Sequence, residues 1–494
     1  MTPDAVTQRK RLPLPFRRSG TTWLLALLSV AVSASAFYLS TGLGTSWPAA
    51  WIAPVPILVL AARTTKRTAM LAASAAYFLG SLNLLAYLAE VVPVGLVVVL
   101  LLVPALAFGG AVLVFRFAAR RLPPWVAGFA FPAAWVSYEF LLSLISPHGT
   151  ALSLAYSQAD LLPLVQIASL SGIWGITFLL TLIPAALGVA WVRRTYRALA
   201  PAVAISLLVS IYGVFRLQER PRQPGVRVGL AATDRGIVTA FNTEDASRAT
   251  AVARAYAERI AWCAAKGAQV VILPEKLVGV TPADSEQVLR VFSDAARAGN
   301  VTLVAGLNRI AIPAPRNVAI VFGPDGKVLA EYEKHHLLAG PETGYKAGTD
   351  PVVFAAPGGS WGVAICKDMD FPNWSRRYGQ RGVTVLAVPA WDFVRDAHLR
   401  SRMAAVRGVE QGFAIARTAQ QGVLTLSDGY GRVVVEKASS TAPEALLVGN
   451  ISPGRGATPY TRLGDWFAWV NVLILPALLA RAAMSGSSAN AKLN

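Results

Sequence analysis

Cysteine is nearly absent from this chain: Cys263 and Cys366 are the only two in 494 residues. Two thiols make no disulfide framework, which excludes a small secreted scaffold stapled by bridges. A bond between these two would silence Cys366 as a nucleophile, and none is expected. Histidine is almost as scarce, with His148, His335, His336 and His398 the full set. No His-Glu-x-x-His or Cys-x-x-Cys spacing accompanies the His335-His336 pair, so neither a metal site nor a cofactor is expected. Charge is thin as well. Charged residues make up 15% of the chain and hydrophobic ones 54%, too apolar an average for an ordinary soluble protein. The net charge of +19 invites a nucleic-acid reading, but no RNA- or DNA-binding motif is there to use it, and no such partner is expected.

The apolar excess is concentrated in roughly the first 216 residues and in a segment near the end. Candidate membrane spans lie at 21–39, 48–62, 69–88, 94–115, 125–146, 167–192 and 199–216. Most suit a hydrocarbon core crossed by about 20 helical residues. The second is short and carries Pro48, Pro54 and Pro56, so a kink is expected there. Basic clusters follow every second span: Arg63, Lys66 and Arg67; Arg116, Arg120 and Arg121; Arg193, Arg194 and Arg197. The alternate loops, 41–47, 89–93 and 147–166, have no Lys or Arg. The positive-inside rule then places the N-terminus in the cytoplasm and everything after Phe215 outside it. An eighth span at 466–483 returns the C-terminus. The expected division is a basic cytoplasmic stretch (1–20), seven spans (21–216), an outer domain (225–453), the last span and a cytoplasmic tail (484–494).

In the outer domain, strand-like runs alternate with helical ones and with an Asp325-Gly326 hairpin, which suggests an α/β layered fold. Trp361–Pro372 reads WGVAICKDMDFP. Its apolar run stops abruptly at Cys366 and turns to Lys367-Asp368, as at the C-terminal edge of a buried strand, where α/β folds place reactive groups. A cysteine closing a strand is also ordinary core packing. Two other stretches bear on the choice: VVILPEK, with Glu275, and EYEKHHLLAGPE, with Lys334 and Glu342. A thiol that attacks a carbonyl needs a base, charge for the oxyanion and a proton for the leaving group. A carboxylate and an ammonium beside it can supply these.

An acid, an amine and a thiol, each just after a strand-like run, resemble the Glu-Lys-Cys set of the nitrilase (carbon-nitrogen hydrolase) superfamily. The membrane portion resembles that of bacterial apolipoprotein N-acyltransferases, including the Tyr156-Ser157-Gln158 loop and the small residues Ser171, Gly172 and Gly175. This resemblance covers nearly the whole chain. It implies a polytopic α-helical membrane domain with an extracytoplasmic αββα sandwich, in a bacterial inner membrane. It makes Cys366 the nucleophile, Glu275 the base and acid, Lys334 the oxyanion stabiliser and the Lys367 backbone N–H a second donor, with Glu342 and Asp368 accessory. The implied partners are a phospholipid acyl donor, a diacylated apolipoprotein acceptor and the bilayer, for a protein acting as a monomer. A membrane-bound nitrilase-type amidase is the alternative. Tyr156 and Gln158, with Phe371, Trp374, Trp391 and Phe393, are candidate substrate- or membrane-facing residues. For the four aromatics, core packing remains the other reading. Glu139, inside the fifth span, either faces an interior or wet cavity or lies near an interface. Departures from the family pattern touch specificity: Lys367-Asp368 stands for Tyr-Glu, Pro389–Phe393 lacks the family's Asn, and Gln421-Gly422 replaces Asn-Gly.

Overall fold

The computed structural model describes residues 20–220, 223–233, 246–440 and 444–490. The basic cluster Arg9–Arg18 and the last residues of the tail lie outside the described residues.

Helices α1 (Gly20–Ser40), α2 (Trp47–Ile52), α3 (Val55–Arg63), α4 (Lys66–Gly80), α5 (Leu85–Val91), α6 (Val94–Arg121), α7 (Pro124–Ala127), α8 (Ala130–Ile145), α9 (Leu162–Val165), α10 (Ala168–Ser171), α11 (Ile173–Arg193) and α12 (Leu199–Leu217) build the N-terminal bundle. Among the described residues, six N-terminal segments and one C-terminal segment are long and apolar enough to cross a membrane, and Trp47–Arg63 is a shorter apolar pair. The expected kink in that second segment is a break at Ala53-Pro54, between α2 and α3. Proline there lacks the N–H and crowds the preceding turn. The sixth span corrects the expectation. It begins at Ile173, and residues 162–171 form two single turns, α9 and α10. Gly172, at φ +65° and ψ −168°, separates them from α11, and a Cβ there would sit 2.6 Å from the Tyr460 ring.

The basic loops gather at one end of the bundle. Arg120 donates to Ala62 O at 3.0 Å, and Arg193 donates to Ala119 O at 2.8 Å. The end that meets the second domain is opposite, where the Thr150 N–H donates to Asp370 O at 3.0 Å.

The second domain contains β1 (Val226–Thr233), α13 (Ala246–Ala265), β2 (Val270–Ile272), β3 (Gly279–Val280), α14 (Ser285–Gly299), β4 (Thr302–Arg309), β5 (Arg316–Phe322), β6 (Val328–Glu333), β7 (Val352–Ala356), β8 (Gly359–Val363), α15 (Pro372–Gln380), β9 (Val385–Trp391), α16 (Ala397–Gln411), β10 (Ala414–Gln420), β11 (Val423–Ser427), β12 (Val433–Ala438) and β13 (Glu444–Ile451). One sheet runs β13-β1-β2-β4-β5-β6, with β3 beside β4, and the other runs β12-β11-β10-β9-β8-β7. The pairs β1–β2, β2–β4, β8–β9 and β9–β10 are parallel. Val228, Ile272 and Val304 of the first sheet pack with Val363, Val385 and Ile415 of the second. Helices α13 and α14 cover the outer face of the first sheet, while α16 packs on β10 and β11. This is the expected four-layer αββα sandwich. Met403, Val406 and Val409 on α16 join the core of the membrane bundle, so this outer layer is also the joint between domains. After α17 (Pro459–Leu463), α18 (Trp466–Asn490) leaves along the bundle.

Candidate active site

Parallel strands of both sheets deliver their C-terminal ends to one crevice. Glu275 follows β2, Cys366 follows β8 and Trp391 ends β9, while Lys334 follows the antiparallel β6. Cys366 has φ +43°, a region that costs a residue with a Cβ of order 1–3 kcal/mol unless its surroundings enforce it. Asp368, fully buried two residues on, is the enforcing group. Its Oδ2 accepts from the Ile365 N–H at 3.0 Å and from the Tyr332 hydroxyl at 2.6 Å, and its Oδ1 accepts from the His336 N–H at 2.8 Å. Trp374 Nε1 donates to the same Tyr332 hydroxyl at 3.0 Å, while His335 stacks on Trp374 and His336 on Phe371.

Across the crevice, Lys334 Nζ sits 2.8 Å from Glu275 Oε1 and 2.9 Å from Glu342 Oε2. All three are at most 4% exposed. Asn317 Nδ2 donates to both carboxylates, each at 2.6 Å. Lys276 Nζ lies 2.8 Å from Glu342 Oε1, and the Leu338 N–H donates to Oε2 at 2.7 Å. Asn317 and Lys276 were not anticipated. The one signal for Asn317 is a polar residue at the head of an otherwise apolar strand. Gly306 is required behind them, because a Cβ there would come within 2.2 Å of Pro274 O.

Burial alone would draw the Lys334 ammonium down, but the Glu275 and Glu342 carboxylates more than offset it and hold it well above the usual lysine range. Burial pushes Glu342 the other way from its neighbours, yet Lys334 and Lys276 bring its carboxyl down to about 2. Burial raises the Cys366 thiol far above its ordinary value, and Glu275 adds to the rise while Lys334 opposes it. Burial thus favours the neutral thiol, whose Sγ lies 3.4 Å from Trp391 O. Its chemistry needs a base at hand rather than a standing thiolate. Below it, burial lifts Asp392 to about 6 against the pull of Arg417, whose Nη1 lies 3.0 Å from Asp392 Oδ2. Cys263 is buried under the first sheet and, like Cys366, is free of any disulfide.

The expectations for facing residues divide. Tyr156 and Gln158 are buried and held by partners within the protein. The Tyr156 hydroxyl is bonded to Arg407 and, at 2.8 Å, to Thr150, while Gln158 accepts from Trp51 Nε1 at 2.8 Å. Trp374 is likewise core, at 4% exposure. Phe371, Trp391 and Phe393 are half-buried, and Phe393 packs 6.1 Å from Tyr87 at the joint with α5. Glu139 is buried with both oxygens engaged. It accepts from Ser153 Oγ at 2.7 Å, the Leu154 N–H at 2.8 Å, Thr177 Oγ1 at 3.0 Å and Trp135 Nε1 at 3.1 Å. It anchors the loop beneath the site. Beside that loop, an apolar cavity walled by Leu88, Val99, Val103 and Leu142 of the bundle reaches Leu338 and Lys367 of the second domain.

Residues 33–187 match the apolipoprotein N-acyltransferase N-terminal domain, and residues 235–451 match the carbon-nitrogen hydrolase domain. A relative named apolipoprotein N-acyltransferase, from Geobacter metallireducens, is 26% identical over 91% of this chain and 93% of its own. The chain thus joins an apolipoprotein N-acyltransferase N-terminal domain to a carbon-nitrogen hydrolase domain. A second relative of that name, from Azotobacter vinelandii, is 28% identical over 80% of this chain and 82% of its own. Among solved structures, an amidase from Nesterenkonia sp. aligns with 51% of this chain and 97% of its own, at 19% identity and a TM-score of 0.41. The apolar cavity is walled mainly by the first matched region and reaches Leu338 and Lys367 of the second, which holds the acid–lysine–thiol crevice.

Proposed function

We propose that this acyltransferase moves a fatty acyl chain from a membrane phospholipid, through a thioester on Cys366, to the N-terminal amine of diacylglyceryl-cysteine on apolipoproteins. The observation that carries the reading is the position of the crevice. A cavity walled by the apolar faces of α5, α6 and α8 reaches Leu338 and Lys367, and Lys367 directly follows Cys366 in the chain. A water-soluble amide needs no such wall; a lipid ester does.

In the first half-reaction Glu275 takes the Cys366 proton as Sγ attacks the ester carbonyl. The oxyanion develops beside the Lys334 ammonium, with the Lys367 backbone N–H as a second donor. Collapse breaks the C–O bond, and Glu275 returns the proton to the leaving glycerol oxygen, releasing a lysophospholipid. In the second, the acceptor amine attacks the thioester and gives its proton to Glu275. Collapse expels the sulfur, which is reprotonated, and leaves an amide. Asn317, Lys276 and Glu342 keep Glu275 and Lys334 in register.

The clustering of basic loops at the end of the bundle away from the crevice supports an inner-membrane location. The catalytic domain is then extracytoplasmic and both termini cytoplasmic. The test is complementation of a bacterium depleted of its own N-acyltransferase, with mature lipoproteins read by mass. The reading expects N-acylated lipoproteins from the wild type and none from Cys366→Ala. Amino-terminally free lipoproteins despite normal wild-type expression would contradict it.

A further inference from the structure

Lys367 is a buried charge for whose side chain the reaction above has no use. It is 5% exposed, and its Nζ makes one hydrogen bond, to Leu337 O at 2.9 Å. No ion pair to it is found among the described residues. The carboxylate that pulls most on it, Asp370, is bonded through Oδ1 to Arg400. Arg400, which also lines the cavity, spends its guanidinium on Asp396 at 2.8 Å, Asp370 at 2.5 Å and the Tyr87 hydroxyl at 3.0 Å. Glu342 is shared by Lys334 and Lys276. A cation buried without a counter-ion is costly, and such groups are normally paired. Here the ammonium keeps two unused N–H donors where an apolar cavity meets the nucleophile, with His148 on the same wall.

The matching ligand is an anion joined to an apolar chain. Cys366 and Lys367 are neighbours, their Cα atoms about 3.8 Å apart. In a diacyl phospholipid the phosphodiester is separated from an acyl ester by the glycerol carbons alone, so both groups can be met at once. We propose that the Lys367 ammonium binds the phosphodiester of the acyl donor, and that this docking sets which ester reaches Cys366. The inference rests on the acyl-transfer reading and names a specificity-determining side chain within it. A free phosphate has the same chemistry but lacks the chain that fills the cavity.

The test uses the purified full-length protein in mixed micelles, with phosphatidylglycerol or a diacylglycerol of identical chains as donor. The rate of hydroxylamine-labile acylation at Cys366 is the readout. The wild type should prefer the phospholipid by roughly tenfold or more, the scale of a charge-assisted hydrogen bond. Lys367→Met should collapse that ratio to within about twofold, and Lys367→Arg should retain most of it, since Arg keeps the charge. A deacylated glycerophosphodiester should compete against the phospholipid and not against the diacylglycerol, an arm that needs no variant. A wild type that does not distinguish the donors, a ratio preserved in Lys367→Met, or inorganic phosphate slowing both donors alike would each overturn the inference. No adduct from either donor in the wild type would remove the acyl-transfer reading itself, and this inference with it.

Discussion

Arg407 is the side chain whose loss should uncouple the Cys366 turn from the membrane bundle. It is fully buried. Its Nε donates to Met369 O, within the Cys366–Asp370 turn, at 2.9 Å, and its Nη2 donates to Thr150 Oγ1 at 2.6 Å. It also bonds the Tyr156 hydroxyl and the Glu410 carboxylate. Glu410 in turn accepts from the N–H of Ile173, the first residue of α11, at 2.9 Å. Arg407→Met keeps most of the aliphatic volume but strands Glu410 as a buried anion, a change worth about 3–5 kcal/mol. For a domain of this size about 1 kcal/mol moves the melting temperature by 2–4 °C, so a fall of roughly 6–20 °C is expected. The assay is thermal unfolding of the detergent-purified protein, together with the initial rate of Cys366 acylation. Adding Glu410→Gln to Arg407→Met should recover part of the loss, because the stranded charge is gone; the double-mutant cycle isolates that coupling. A single variant that melts within about 2 °C of the wild type and acylates normally would refute the reasoning. A double variant less stable than the single one would do the same.

Asp368→Ala leaves the Ile365 and His336 N–H groups and the Tyr332 hydroxyl unanswered, and should cost more stability and acylation rate than Asp368→Glu. The longer acid must instead overpack a closed site at about 1–3 kcal/mol; the opposite order would show that Asp368 shapes substrate rather than the turn. Cys263→Ala should leave the acylation rate unchanged, because that thiol, pushed up to about 12 by burial, lies in the core under the first sheet. An equal loss in Cys263→Ala and Cys366→Ala would contradict this. Glu342 titrates near 2 when folded against an ordinary 4.5. Its depressed value contributes stability that is complete above about pH 4.5 and lost as pH falls toward 2. Melting temperature should therefore fall with acid in that window, less steeply in Glu342→Gln. Reporter fusions at residues 65, 118 and 195 should behave as cytoplasmic and one at 220 as exported, and a cytoplasmic result at 220 would remove the proposed orientation.

What could be read in the sequence was what repeats or stops abruptly. The apolar run ending at Cys366-Lys367, the Asp325-Gly326 hairpin and the helix over 397–411 appear where their patterns put them, since local periodicity carries those elements. The sixth span is present but starts later than its hydropathy suggests, at Ile173 rather than 167, because hydropathy does not register backbone angle. Gly172 looks like one more small residue until its φ of +65° breaks the helix. Strand β7 is short, and β13 pairs with β1, Val226 opposite Ile451, across more than two hundred residues, which no local window sees. The core acid, amine and thiol were visible because each follows a strand-like run. Asn317, which holds the two carboxylates together, sits among residues with no signature of their own, and its role exists only once β5 lies beside β6. Tyr156 and Gln158 were visible as a motif, but a motif does not say whether its side chains point to a ligand or to Arg407 and Trp51.

The central claim is that Cys366 carries the acyl chain between two lipids. Its most direct measurement is the mass of the intact protein after exposure to phospholipid alone, and again after a diacylated lipopeptide with a free amino terminus is added. The account predicts one acyl group on Cys366, labile to neutral hydroxylamine and absent in Cys366→Ala and Glu275→Gln. Lys334→Ala should form it slowly, at a loss of roughly 3–4 kcal/mol of oxyanion stabilisation. The lipopeptide should then clear the adduct and gain the same acyl group as an amide. An adduct that water clears as fast, with no N-acylated peptide formed, would contradict the account and make the protein a hydrolase.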